Sequence, residues 1–162
     1  MSENAVVDFA LQFGVKLLLD SKLIVQHDGH FFLLNDNVKL FVKDGFFYAG
    51  TFLGKVRSNK FFPSFNLLLM LAKHNGVNYV IIDKRASWLF ICGRDVFRKS
   101  ILQTQGRVYK NNLVLVLNEF EECLGFGRIF GEKLQSTKNK STKVAIANLL
   151  DVGDFLRRER ST

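Results

Sequence analysis

Apolar residues recur at helical spacing over residues 2–13, where Val6, Phe9, Ala10 and Phe13 share one face behind Ser2, a good N-cap. Gly14 ends that segment, and the period then shortens. The apolar runs 23–26, 31–34 and 38–41 are divided by His27-Asp28-Gly29-His30 and by Asn35-Asp36-Asn37, both of hairpin-turn composition. Short antiparallel strands are expected there, with another over 46–55 and a basic turn at 57–60. Pro63-Ser64 then starts a helix over 65–74, with Phe65, Leu68, Leu69 and Ala72 inward and Asn75-Gly76 as its stop. Residues 1–77 therefore read as an α+β domain, an antiparallel sheet with a helix at each end.

From residue 78 the pattern favours strands. A strand is expected over 79–82, and a short helix over 84–91 ends at Gly93, a position suited to positive φ. The basic stretch 94–101 alternates poorly. After a loop over 103–112, strands are expected over 113–117, 124–130 and 143–147, with the basic loop 131–142 before the last. Gly125 and Gly127 lie two apart in an apolar strand, so their missing side chains open one face to a neighbouring backbone and let the sheet curl tightly. Gly125, Gly127 and Gly131 fall one residue off the dinucleotide fingerprint, and no long helix follows them; no cofactor is expected.

In this order, Tyr79-Val80-Ile81-Ile82-Asp83, residues 86–93, Asp95-Val96, Val114-Leu115-Val116, Leu124-Gly125-Phe126-Gly127 and Ala145-Ile146 resemble a PUA domain, an RNA-binding β-pseudobarrel. Upstream, Phe9-Ala10-Leu11-Gln12-Phe13-Gly14 and 50–55, and downstream 151–157, extend the likeness over nearly the whole chain. Together these motifs resemble the Nip-seven type of ribosome-biogenesis proteins. The resemblance implies a pre-PUA domain over 1–77 and a PUA domain over 78–157. It also implies binding of precursor ribosomal RNA at single-stranded U- or AU-rich segments during large-subunit assembly, with other assembly or RNA-processing proteins met through the N-terminal domain. Ser100 stands where PUA domains usually carry a glycine, so side chains rather than main chain are expected to make that contact. The chain opens directly on its first helix, which within the family points to an archaeal cytoplasm; a eukaryotic member would be nuclear or nucleolar.

Charge sharpens this expectation. The net charge of +8 over 162 residues predicts an acidic partner if it is clustered. Residues 79–162 hold fifteen Lys/Arg against nine Asp/Glu, net +6, whereas 1–78 hold eight against six. Arg94, Arg98, Lys99, Lys133, Lys138, Lys140 and Lys143 are therefore the candidate phosphate-contacting side chains, with Arg107 nearby and Arg157 and Arg158 at the margin. Tyr109, between Arg107 and Lys110, is the candidate base-stacking aromatic. Phe97 is expected to fill the barrel instead.

Catalysis is not expected. No nucleophile with a base, no carboxylate pair in apolar surroundings and no metal set stands out, and His27 and His30 flank a turn. Cys92 and Cys123 are expected to be reduced core thiols. No apolar run approaches the ~18 residues of a membrane span, and a monomer is expected. A protein-interaction adaptor is the alternative, docking through exposed members of the pairs Phe46-Phe47 and Phe61-Phe62; a translation-associated PUA protein is another.

Overall fold

The computed structural model describes residues 4–42, 48–130, 134 and 142–159. The chain forms two compact units: Met1–Leu11 with Lys16–Lys73, and Gln12–Val15 with His74–Thr162. The architecture is α+β in both.

In the first unit, α1 (Asn4–Leu11) precedes β1 (Ile24–His27) and β2 (His30–Leu33). Asp28 (φ 45°) and Gly29 (φ 75°) make the tight turn between these strands and leave His27 opposite His30. Residues 38–41 do not form the expected third strand. The Asn35 carboxamide oxygen accepts the Val38 N–H at 2.8 Å and starts a helical turn, α2 (Asp36–Lys39), with its acid first and its base last. The sheet resumes with β3 (Thr51–Arg57) and β4 (Lys60–Pro63) in the order β1-β2-β3-β4, the last two joined through Ser58 and Asn59 at positive φ. Phe46 and Phe47 lie outside the described residues; residues 48–50 are not strand, so β3 starts later than the expected strand.

Ser64 Oγ accepts the Leu67 N–H at 3.2 Å and caps α3 (Phe65–Ala72). That helix buries Leu67, Leu68 and Leu71. Leu69, expected inward, is 40% exposed. Phe61 packs against Phe9 and Phe31 at ring-centroid distances of 5.4 and 5.8 Å, while its neighbour Phe62 turns outward. That is the alternation a strand imposes.

The second unit contains β5 (Tyr79–Ile82), α4 (Lys84–Ile91), β6 (Val96–Phe97), β7 (Ile101–Gln105), β8 (Leu113–Leu117), β9 (Cys123–Ile129), β10 (Val144–Asp151) and α5 (Val152–Glu159). Residues 103–105, expected in a loop, instead pair with β5. The sheet order is β6-β10-β9-β8-β5-β7, so its two edge strands are consecutive in sequence and joined only by a 3₁₀ turn at Arg98–Ser100. Three residues span at most about 10 Å, so the two edges are drawn together and the sheet curls. Val80, Ile82, Phe90, Val96, Val114, Val116, Ile129 and Ile146 form its core.

The glycine pair explains how tightly β9 and β10 meet. A Cβ at Gly125 would strike the Leu150 carbonyl oxygen and the Asp151 Cα; one at Gly127 would strike Ile146 and the Ala147 carbonyl oxygen. Register shifts between Asn148 and Leu150, beside Gly125 and Gly127, mark the bend. Cys123 is buried as expected, but Cys92 is exposed: it closes α4 on the outer side, away from Ala86 and Phe90. Among the described residues no helix is long and apolar enough to cross a membrane.

Candidate nucleic-acid interface

Four segments are tied side by side where β10 begins. The Arg98 N–H donates to the Lys143 carbonyl at 3.0 Å, which joins the 3₁₀ turn after β6 to the start of β10. The Phe130 N–H donates to the Ala145 carbonyl at 2.8 Å, joining β10 to the end of β9, and the Asn111 N–H donates to the Ile129 carbonyl at 3.0 Å, adding the loop 106–112. Arg98, Lys99, Lys143, Arg107 and Tyr109 are thus carried on neighbouring strands and the loop against them. They are far apart in sequence, and the hydrogen-bond ladder is what assembles them.

The loop is held from beneath. Asn78, 2% exposed, accepts the Arg107 N–H on its side-chain oxygen at 2.7 Å while its backbone carbonyl accepts the Leu115 N–H and its own N–H donates to the Phe13 carbonyl. Asn112 Nδ2 donates to the Arg107 carbonyl at 3.1 Å, and the Leu134 N–H donates to the Val108 carbonyl. Val108 is buried, so its neighbours Arg107 and Tyr109 are turned outward, Tyr109 49% exposed.

Phe97 does not fill the barrel. Val96 does, at 1% exposure, and Phe97 is 40% exposed opposite Val144. A two-residue strand can place one side chain in the core, and the branched, shorter one took it. Arg128 on β9 and Phe130 just past its end, the latter 64% exposed, also face solvent. Sequence reasoning misses both, although the buried Ile129 between them makes the outward alternation readable. The surface at the start of β10 therefore mixes cations with exposed aromatic rings.

Arg94 and Arg157 belong to a different group, at the far end of β10. The Arg94 carbonyl lies 3.5 Å from Asn148 Nδ2, which donates to the Phe90 carbonyl at 2.8 Å and to Asp151 at 3.2 Å. Asp151, 2% exposed, accepts the Asp154 N–H on one oxygen, capping α5, and Arg157 Nη2 on the other at 2.8 Å. Arg157 Nη1 donates to the Ile91 carbonyl at 2.7 Å, at the end of α4. The hydrogen bond to the Asp151 carboxylate raises the Arg157 pKa further above its ordinary value. Arg157 is thereby a strut between α4, β10 and α5. Lys133, Lys138 and Lys140 lie outside the described residues, as does the side chain of Arg158.

Among the described residues, acids do not oppose the first group. Asp83 caps α4 through the Ala86 N–H at 2.8 Å, and Asp95 accepts the Asn148 N–H at 2.9 Å. Glu119, Glu121 and Glu122 occupy the β8–β9 turn, wrapped around Asn118, at the opposite end of β8 from Leu113 and the loop 106–112. Lys99, Arg107, Lys110 and Arg128 make no ion pair among the described residues.

Residues 78–160 match the UPF0113 PUA domain, just over half of the chain. The chain belongs to that family. A UPF0113 protein of Archaeoglobus fulgidus is 31% identical over 114 residues, 70% of this chain and 64% of that protein's length, so the chain spans less than two thirds of this relative. A conserved PUA domain protein from Thermoplasma acidophilum shares the fold with a TM-score of 0.63, over 98% of this chain and 96% of that one, at 14% identity. A hypothetical protein from Pyrococcus horikoshii does so at 0.54 and 16% identity, over 96% of each chain. The assembled cations and rings therefore lie within the part of the chain that matches the PUA domain.

Proposed function

We propose that this UPF0113 protein is a non-catalytic RNA-binding factor that grips single-stranded RNA where β10 begins. The carrying observation is the ladder that places Arg98 and Lys99, Lys143, Arg128 and Phe130, and the Arg107–Tyr109 loop on adjoining segments. Cations beside exposed rings suit an unpaired strand: phosphates take the charge, and splayed bases stack on aromatic faces. The resemblance to the Nip-seven type proteins extends the reading to precursor ribosomal RNA in large-subunit assembly, at U- or AU-rich segments. In that setting the protein works as a monomer in an archaeal cytoplasm, and its first unit meets other assembly proteins.

Filter binding of a short U-rich RNA tests the core of the reading. The unaltered protein retains the RNA in a salt-sensitive way. A Lys99→Ala/Arg107→Ala/Lys143→Ala variant binds more weakly, with a plot of log affinity against log salt shallower by about 2, since each lost phosphate contact removes about 0.7. No retention by the unaltered protein would favour the adaptor reading. Co-sedimentation with large-subunit precursors tests the ribosomal part separately.

A further inference from the structure

Helix α4 buries Ala86 and Phe90 and turns the opposite side to solvent. There Trp88 is 65% exposed and Leu89 37%. Trp88 is the only tryptophan in the chain. An indole is a large apolar body that a small core gains much by burying, so one held outward in the middle of a rigid helix contributes little to folding and is placed for contact.

The charges around it point the same way. Lys84 and Arg85 lie four and three residues before Trp88, on the same side of the helix, and both are exposed. They occupy the first turn, where the helix dipole favours acids. Beyond its N-cap, Asp83, the helix carries no acid, and neither cation makes an ion pair among the described residues. The carboxylate of Asp83 already serves the start of this helix, and Lys84 and Arg85 stand beside it exposed to solvent, where an anionic ligand can meet them.

The position is continuous with the interface already described. The Asp83 N–H donates to the Ser100 carbonyl at 3.0 Å, so Lys84 follows directly on a backbone bond to the Arg98-Lys99-Ser100 turn. Lys143, Arg98, Lys99, Lys84 and Arg85 thus lie on segments bonded one to the next, from the start of β10 to the helix that carries Trp88.

We propose that Trp88, Lys84 and Arg85 form a second subsite on the last of these segments, where an unpaired base stacks on the Trp88 indole and the adjoining phosphate lies over Lys84 and Arg85. The subsite rests on the RNA-binding reading and extends it. Stacking on an indole is tolerant of base identity, so it lengthens the bound segment without adding sequence preference.

The lone tryptophan makes the test direct. The full-length protein is titrated with a short oligouridylate while Trp88 emission and filter retention are followed together. Saturable quenching that tracks retention is expected. Trp88→Ala weakens affinity about tenfold, and Trp88→Phe recovers most of that loss because a ring remains to stack on. Lys84→Glu/Arg85→Glu weakens binding most at low salt while leaving the melting temperature unchanged or raised, since acids suit the first turn. Retention with unchanged emission, or Trp88→Ala binding as tightly as the parent, overturns the subsite and leaves the RNA-binding function standing. Absence of retention by the unaltered protein overturns both.

Discussion

Cys92 and Cys123 show how much of a residue's chemistry is decided by its surroundings. Both are cysteines in apolar sequence, and nothing local to either tells them apart. The fold does: Cys92 closes α4 on its solvent side, while Cys123 opens β9 inside the curl. Burial pushes the Cys123 thiol up from 9.0 to about 11, with the Gly125 backbone hydrogen bond pulling weakly the other way. A thiol-specific disulfide reagent at pH 8 should therefore modify one cysteine per folded chain quickly, with the second following only on unfolding; two fast equivalents would contradict the placement. The pH dependence has a definite sign. Below pH 9 the thiol is protonated in both folded and unfolded chains and contributes nothing; between 9 and about 11 only the unfolded chain loses the proton, so stability falls as pH rises. The fall amounts to roughly 2–3 kcal/mol, and Cys123→Ala should lack it in alkaline denaturation curves. Tyr109 can be read from its cationic neighbours, whereas the exposure of Phe97 cannot, because which residue of a two-residue strand faces in depends on the partner strand.

Elements whose boundaries are set by local chemistry are legible in the sequence. The strand 79–82 and the helix 84–91 occur where the pattern predicts them, since Asp83 caps the helix and Gly93 ends it at φ 86°. The strand 113–117, buried throughout, needs only its apolar run. Elements decided by distant partners are not legible. Residues 103–105 become strand because β5 offers an edge, and 38–41 lose strand because the Asn35 cap competes successfully within three residues. The loop 106–112 depends on both kinds of bond, and Asn78 is its anchor. Asn78→Ala removes the acceptor of the Arg107 N–H inside the protein, a change of roughly 1–3 kcal/mol. Hydrogen exchange at the Arg107 amide should accelerate, and RNA affinity should drop although Asn78 is too deeply buried to touch RNA. Unchanged exchange at Arg107 would show that the loop is held by its other contacts.

For the molecule's charge, distribution matters more than the total of +8. In the second unit Asp83, Asp95 and Asp151 are engaged as caps and backbone acceptors, Asp154 lies beside Arg157 in α5, and Glu119, Glu121 and Glu122 gather in the β8–β9 turn, while the cations of the interface gather beyond the other end of β8. The five residues of β8 separate the two by about 16 Å at roughly 3.3 Å per residue. At 0.15 M salt the Debye length is about 8 Å, so the acidic turn is screened from RNA bound at the start of β10. Binding should then follow the local cations and ignore the net charge. With about five phosphates neutralised, log affinity falls against log salt with a slope of roughly −3.5. A Glu119→Gln/Glu121→Gln/Glu122→Gln variant raises the net charge by three yet should leave both slope and affinity at 0.15 M salt unchanged, because the new carboxamide in place of the Glu122 carboxylate can still accept from Asn118. Removing Lys99, Arg107 and Lys143 changes the net charge by the same amount in the opposite sense and should flatten the slope. If the two variants shifted affinity equally and oppositely, a diffuse positive field would be attracting RNA, and the assembled surface would have no particular part in binding it.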